Sequence, residues 1–106
     1  MKLWIDDVRP APEGYVWCKS VNEAKAEIKN REYRLQYFLN IEHEIELIDI
    51  DHDAGDYASD GGDYIKLLDW LEETGRSYSI RIHSMNPVGV ANMRAIIERN
   101  SWKEVF

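Results

Sequence analysis

Apolar residues in this chain gather into short runs that stop on acids or histidines. Lys2 to Ile5 reads KLWI and ends at Asp6-Asp7. Tyr15 to Cys18 is a second run, and Glu46 to Asp51 a third, ending at Asp51-His52-Asp53. Ser79 to Ile82 is a fourth and ends at His83-Ser84. Runs this short, bounded by polar and turn residues, predict strands. In the third, Leu47, Asp49 and Asp51 point one way and Glu46, Ile48 and Ile50 the other. An acid inside a buried strand needs water or a partner, so Asp49 is expected to be partly exposed or paired.

Between the strands the apolar spacing becomes helical. Ser20-Val21-Asn22-Glu23 is a capping box that opens a helix. Ala24, Ile28, Leu35 and Leu39 would form its inner face, and the charged stretch from Lys29 to Arg34 predicts a bend or break. Asp63 is a candidate cap for a second helix with a stripe of Tyr64, Leu67, Leu68 and Leu71, stopped by Gly75. Asn86-Pro87 reads as an N-cap followed by proline at the first helical position. That third helix runs to about Arg99, with Val90, Met93 and Ile97 inward. Trp102 to Phe106 is either a last short strand or a packed tail. After the first strand, two prolines and Gly14 mark a loop where a helix would otherwise stand. The order β, loop, β, α, β, α, β, α favours a mostly parallel α/β sheet.

In an open α/β sheet the strand C-termini converge on one crevice, and ligands bind there. The three polar clusters would therefore meet although they lie far apart in the chain. Asp6, Asp7 and Asp51 together suit a hard divalent cation such as Mg²⁺ or Mn²⁺, which takes oxygen ligands; a polar turn into the proline loop is the plainer reading of Asp6-Asp7. His52 and His83 are candidate general base and acid, or else hydrogen-bonded loop holders. Ser84 and Asn86 precede a helix N-terminus, where free N–H groups favour a phosphate; ordinary capping also accounts for Asn86. Arg9 could clamp a phosphate with two parallel bonds or simply lie on the surface. His43 has no comparable company. The stretch from Asp49 to Asp60 superficially resembles a calcium-binding EF-hand loop, but its sixth position is Ala54 and its twelfth Asp60, where that loop needs glycine and glutamate.

Size and charge narrow the field. The chain has 106 residues and a net charge of −7, which suits one domain over 1–106. An acidic chain argues against non-specific binding along a nucleic-acid backbone, though a bound cation can invert the local field for a small phosphorylated substrate. No long nucleic-acid groove is expected. Cys18, the single cysteine, is expected to be a packed thiol. The first strand starts at once, so no signal peptide is expected; no apolar run approaches a membrane span, and cytoplasmic residence follows by default.

The segments LWIDDVRPAPEGY, DIDHDAGDYASDGGDYIKLLDWL and IRIHSMNPVGVANM resemble the cyclic-phosphate processing receiver domain family, a branch of the CheY-like receivers, over nearly the whole chain. The resemblance implies a flavodoxin-like sheet of order 2-1-3-4-5, truncated or whole, with helices on both faces; the first helix, reduced here to a loop, departs from that pattern. It matches Asp6, Asp7 and Asp51 to the receivers' magnesium-binding acids and phosphoacceptor, and Ser84 to their Ser or Thr. The receivers' Lys after strand five has no strand-end counterpart, Lys103 being poorly placed, and His52 and His83 are additions. The implied activity is a metal-dependent phosphoesterase (a hydrolase) for cyclic phosphates, on a small cyclic nucleotide or an RNA terminus in RNA processing. The alternatives are a receiver switch phosphorylated on Asp51, or a non-catalytic module that binds a nucleotide or a protein.

Overall fold

The computed structural model describes residues 1–38 and 44–106. Four strands, β1 (Lys2–Ile5), β2 (Tyr15–Cys18), β3 (Leu47–Ile50) and β4 (Ile80–Ile82), form one sheet in the order β2-β1-β3-β4. All three pairings are parallel. Helix α1 (Val21–Phe38) joins β2 to β3, α2 (Ile65–Glu73) joins β3 to β4, α3 (Pro87–Arg99) follows β4, and a 3-10 helix over Gly55–Ser59 follows β3. This is a receiver-like α/β fold, as expected.

The register decides which side chains share a face. Leu3, Ile5, Cys18, Ile48, Ile50 and Ile80 alternate onto one side and join a single buried cluster with Val21, Ala24, Ile28, Leu67, Leu68, Leu71, Met93 and Ile97 from the helices. Each fully buried Val, Leu, Ile or Met side chain among these contributes about 1.5–3 kcal/mol. Lys2, Trp4, Tyr15, Trp17, Leu47, Asp49 and Arg81 alternate onto the other side. Helices were expected on both faces; the buried residues of all three pack on the first. The connection that crosses the second face is the proline loop of residues 6–14, whose Arg9 carbonyl accepts from Trp4 Nε1 at 2.9 Å. A loop takes the place of the first helix, so the second face carries aromatic and charged side chains.

Several local expectations are met. Ser20 Oγ accepts from the Glu23 N–H, and the Asn86 side chain caps α3 by accepting from the Gly89 N–H. Gly75, at φ +69°, follows α2; its N–H bonds to Glu72 and that of Arg76 to Leu71, which is the Schellman arrangement. Tyr64 is fully buried and satisfies its hydroxyl by donating to the Lys19 carbonyl.

Others differ. Helix α1 runs unbroken through its charged middle, because Ala24 and Ile28 hold the inner face while Glu27–Arg31 pair at 2.8 Å across one turn. Asp63 does not cap α2: its carboxylate accepts from the Ala54 N–H, and Tyr64 occupies the cap position without a side-chain bond. Val90 is only partly buried, and Ile96 is the inward residue beside Met93 and Ile97. The C-terminal segment is a packed tail with one parallel bridge, Ile80 to Glu104, at the sheet edge. Leu39 and His43 lie outside the described residues.

Candidate functional site

Sheet hydrogen bonding continues one residue beyond three of the strands. The Asp6 N–H donates to the Cys18 carbonyl, that of Asp51 to Ile5 and that of His83 to Ile50, at 2.9–3.2 Å. The main chain is thus fixed where each strand's apolar run gives way to a polar residue. These three residues meet: one carboxylate oxygen each from Asp6 and Asp51 and one ring nitrogen of His83 lie within 4.8 Å of one another.

His83 is held on every side. Its Nε2 lies 2.9 Å from Asp6 Oδ2 and its Nδ1 2.7 Å from Asp49 Oδ1. Its ring stacks on Trp4 with centroids 3.9 Å apart and planes 4° apart. For both contacts to be hydrogen bonds, either the ring carries two protons or one carboxyl keeps its own. Asp49 is buried and paired, and also receives Arg81 Nη1 at 3.1 Å. Asp49, Trp4 and Arg81 were not among the residues singled out as site candidates. The one sequence signal was an acid in an otherwise apolar strand, because its partners lie more than thirty positions away.

The acids are held unequally. Burial pushes the Asp6 carboxyl up, but N–H bonds from Arg9 and Val8 and the His83 contact outweigh it and hold the group below its ordinary value. Asp7 goes the other way: burial raises it, and repulsion from Asp6 and Asp51 adds to the shift. Gly55, at φ +56°, passes so close to the Asp7 carboxylate that a Cβ would strike it. The backbone therefore leaves room for Asp7 beside two other acids. Among the described residues Arg9, its Nε 4.0 Å from Asp6, is the guanidinium paired with these acids. Asp6, Asp51 and His83, with the Asp7 carboxylate close enough to be repelled by both acids, form a donor set that suits a hard divalent cation.

The remaining candidates lie around this group. Arg9 Nη1 donates to the His83 carbonyl at 3.1 Å, tying the first loop to the end of β4. Ser84 Oγ accepts from the Asn86 N–H and Asn86 Oδ1 from the Gly89 N–H, so both serve the start of α3. His52 stands apart from the Asp6–Asp51–His83 group. Its Nδ1 lies 2.8 Å from Asp53 Oδ1, and its ring fills the space where a Cβ on Gly89 would be. The main chain turns at Asp51, whose carboxylate accepts from the His52 N–H, and this carries the His52 ring towards α3.

Comparison with known proteins finds a family model, described as the cyclic-phosphate processing receiver domain, that matches residues 1–99. No curated protein and no solved structure matches. A match of that extent, on a parallel sheet whose strand ends bring Asp6, Asp51 and His83 together, makes this chain a member of the cyclic-phosphate processing receiver domain family, a receiver domain linked to cyclic-phosphate processing.

Proposed function

We propose that this domain is a metal-dependent phosphoesterase that opens cyclic phosphates on small nucleotides or RNA ends. The observation that carries the reading is the meeting of Asp6, Asp51 and His83 at three strand ends. Asp6, Asp7 and Asp51 would hold Mg²⁺ or Mn²⁺, which when bound polarises a phosphoryl oxygen. His83 moves a proton at Nε2, the nitrogen turned toward Asp6. Asp49 and the Trp4 ring fix its orientation, as a carboxylate does for a catalytic imidazole. His52, held at Nδ1 by Asp53, is the second proton carrier through Nε2. The Ser84 hydroxyl retains its proton for a phosphate oxygen while accepting from Asn86. Asn86 sets the start of α3, whose N-terminus favours an anion, and Arg9 offers its remaining N–H groups.

The test is hydrolysis of 2′,3′-cyclic mononucleotides with added Mg²⁺ or Mn²⁺, comparing wild type with His83→Ala. The reading expects metal-dependent turnover that falls at least about a hundredfold in the variant. No turnover across the four cyclic nucleotides would defeat it. One observation favours a second reading: Asp51 lies beside Asp6 and Asp7, as a receiver's phosphoacceptor would. Incubation with acetyl phosphate and intact-mass measurement separates the two, because a switch gains one phosphoryl group that Asp51→Asn abolishes.

A further inference from the structure

The partly exposed charged strand positions on the second face of the sheet are basic, although the molecule as a whole is acidic. The chain holds 20 acidic and 13 basic residues. Yet the charged strand positions alternating onto this face are Lys2, Arg81 and Asp49, and Asp49 is buried against His83 and Arg81. Lys19 extends the row from β2. Lys103 joins from the tail: the bridge puts Glu104 on the same side as Ile80, where Arg94 of α3 binds it, so its neighbour turns to the opposite side. The loop that crosses this face adds one exposed cation, Arg9, its side chain 46% exposed, and one exposed acid, Glu13.

Aromatic rings stand among these cations. Tyr15 and Trp17 are partly exposed side by side on β2. Lys2 Nζ lies 5.5 Å from the centre of the Tyr15 ring, and Lys19 Nζ 4.5 Å from that of Trp17. Cations set beside aromatic planes match a chain of phosphates that carries unstacked bases. Single strands bind such surfaces because each base has a flat face to stack and each phosphate a charge to neutralise. A duplex hides its base faces and would find only the charges. The face ends at the carboxylate rim, since Trp4 on this face stacks on His83.

We infer that the helix-free face binds a short single-stranded polynucleotide, with bases on Tyr15 and Trp17, phosphates on Lys2, Lys19 and Lys103, and its terminus toward Asp6 and His83. Where the strand ends rests on the phosphoesterase reading; the binding itself does not. The net charge still disfavours long RNA, because only a few phosphates meet a cation here.

The experiment is fluorescence anisotropy of a labelled six-nucleotide single-stranded RNA with the full chain. Three phosphates neutralised give a log–log salt slope of about −2, so affinity falls about 16-fold between about 50 and 200 mM salt. The triple variant Lys2→Gln/Lys19→Gln/Lys103→Gln should weaken binding at least about tenfold, and Tyr15→Ala about fivefold or more. Lys66→Gln on α2, away from this face, should change nothing. Circular dichroism checks that each variant is folded. No binding, equal binding by the triple variant, or preference for a duplex of the same sequence would each overturn the inference. Binding without hydrolysis would uphold it while the phosphoesterase reading fails.

Discussion

Removing Asp49 is the sharpest test of how the site is held together. In Asp49→Ala the buried Nδ1 of His83 loses its acceptor at 2.7 Å, and Arg81 loses its partner at 3.1 Å. The first is a buried contact to a charged group, worth about 1.5–3 kcal/mol. The second is weaker, because the Arg81 side chain is 41% exposed; pairs of that kind contribute about 0.2–1 kcal/mol. Together the loss is about 3 kcal/mol, which for a domain of this size lowers Tm by about 12–20 °C. Urea unfolding followed by tryptophan fluorescence measures it, with two controls. Arg81→Ala removes only the exposed arm and should cost under about 1 kcal/mol. Asp49→Asn keeps an acceptor for His83 and should cost about half as much as Asp49→Ala. If Asp49→Ala costs no more than Arg81→Ala, the buried clasp on His83 contributes little and the reasoning fails.

Three further outcomes follow from the same geometry. The Asp7 carboxyl titrates above its ordinary value in the folded protein because of burial and two neighbouring acids. Its contribution to stability therefore falls as pH rises from below the ordinary value through the raised one, and remains lost at neutral pH. Asp7→Asn should raise Tm at pH 7 in the presence of a chelator, and an unchanged or lower Tm would contradict the crowding. Burial, and then Glu23 and Glu27, push the Cys18 thiol up to about 12. Alkylation at pH 8 should thus be at least about a thousandfold slower in the native protein than in urea, and rapid native labelling would show the thiol is accessible. Gly89→Ala drives a Cβ into the His52 ring, which costs about 1–3 kcal/mol by overpacking and should move the His52 ring resonances in NMR; unchanged resonances would mean the ring is not seated there.

What could be read from the sequence was local chemistry and strand-end position. The Ser20 cap, the Asn86-Pro87 start of α3 and the Gly75 stop depend on neighbours within a few residues, and each is where the spacing puts it. Asp6, Asp51 and His83 could be brought together in advance because parallel strands align their C-terminal ends. What escaped depends on long-range pairing. Asp49 is kept inside the sheet by His83 and Arg81 on β4 and just after it. Asp63 caps no helix because the Ala54 N–H across the loop takes its carboxylate. The charge-rich middle of α1 stays helical because tertiary contacts hold one side: Glu32 receives both Arg76 and Tyr78. The His52 ring goes to Asp53 and the Gly89 gap, a turn of the backbone after Asp51 that strand alternation does not specify.

The central claim is that Asp6, Asp7 and Asp51 form one cation site beside His83. Titrating ¹⁵N-labelled protein with substoichiometric Mn²⁺ tests it directly, since paramagnetic broadening falls steeply with distance. The account predicts that the amides of Asp6, Asp7, Asp51 and His83 broaden first and that Asp51→Asn abolishes the effect at the same concentration. Broadening spread over the acidic surface, or centred elsewhere and indifferent to Asp51→Asn, would contradict it.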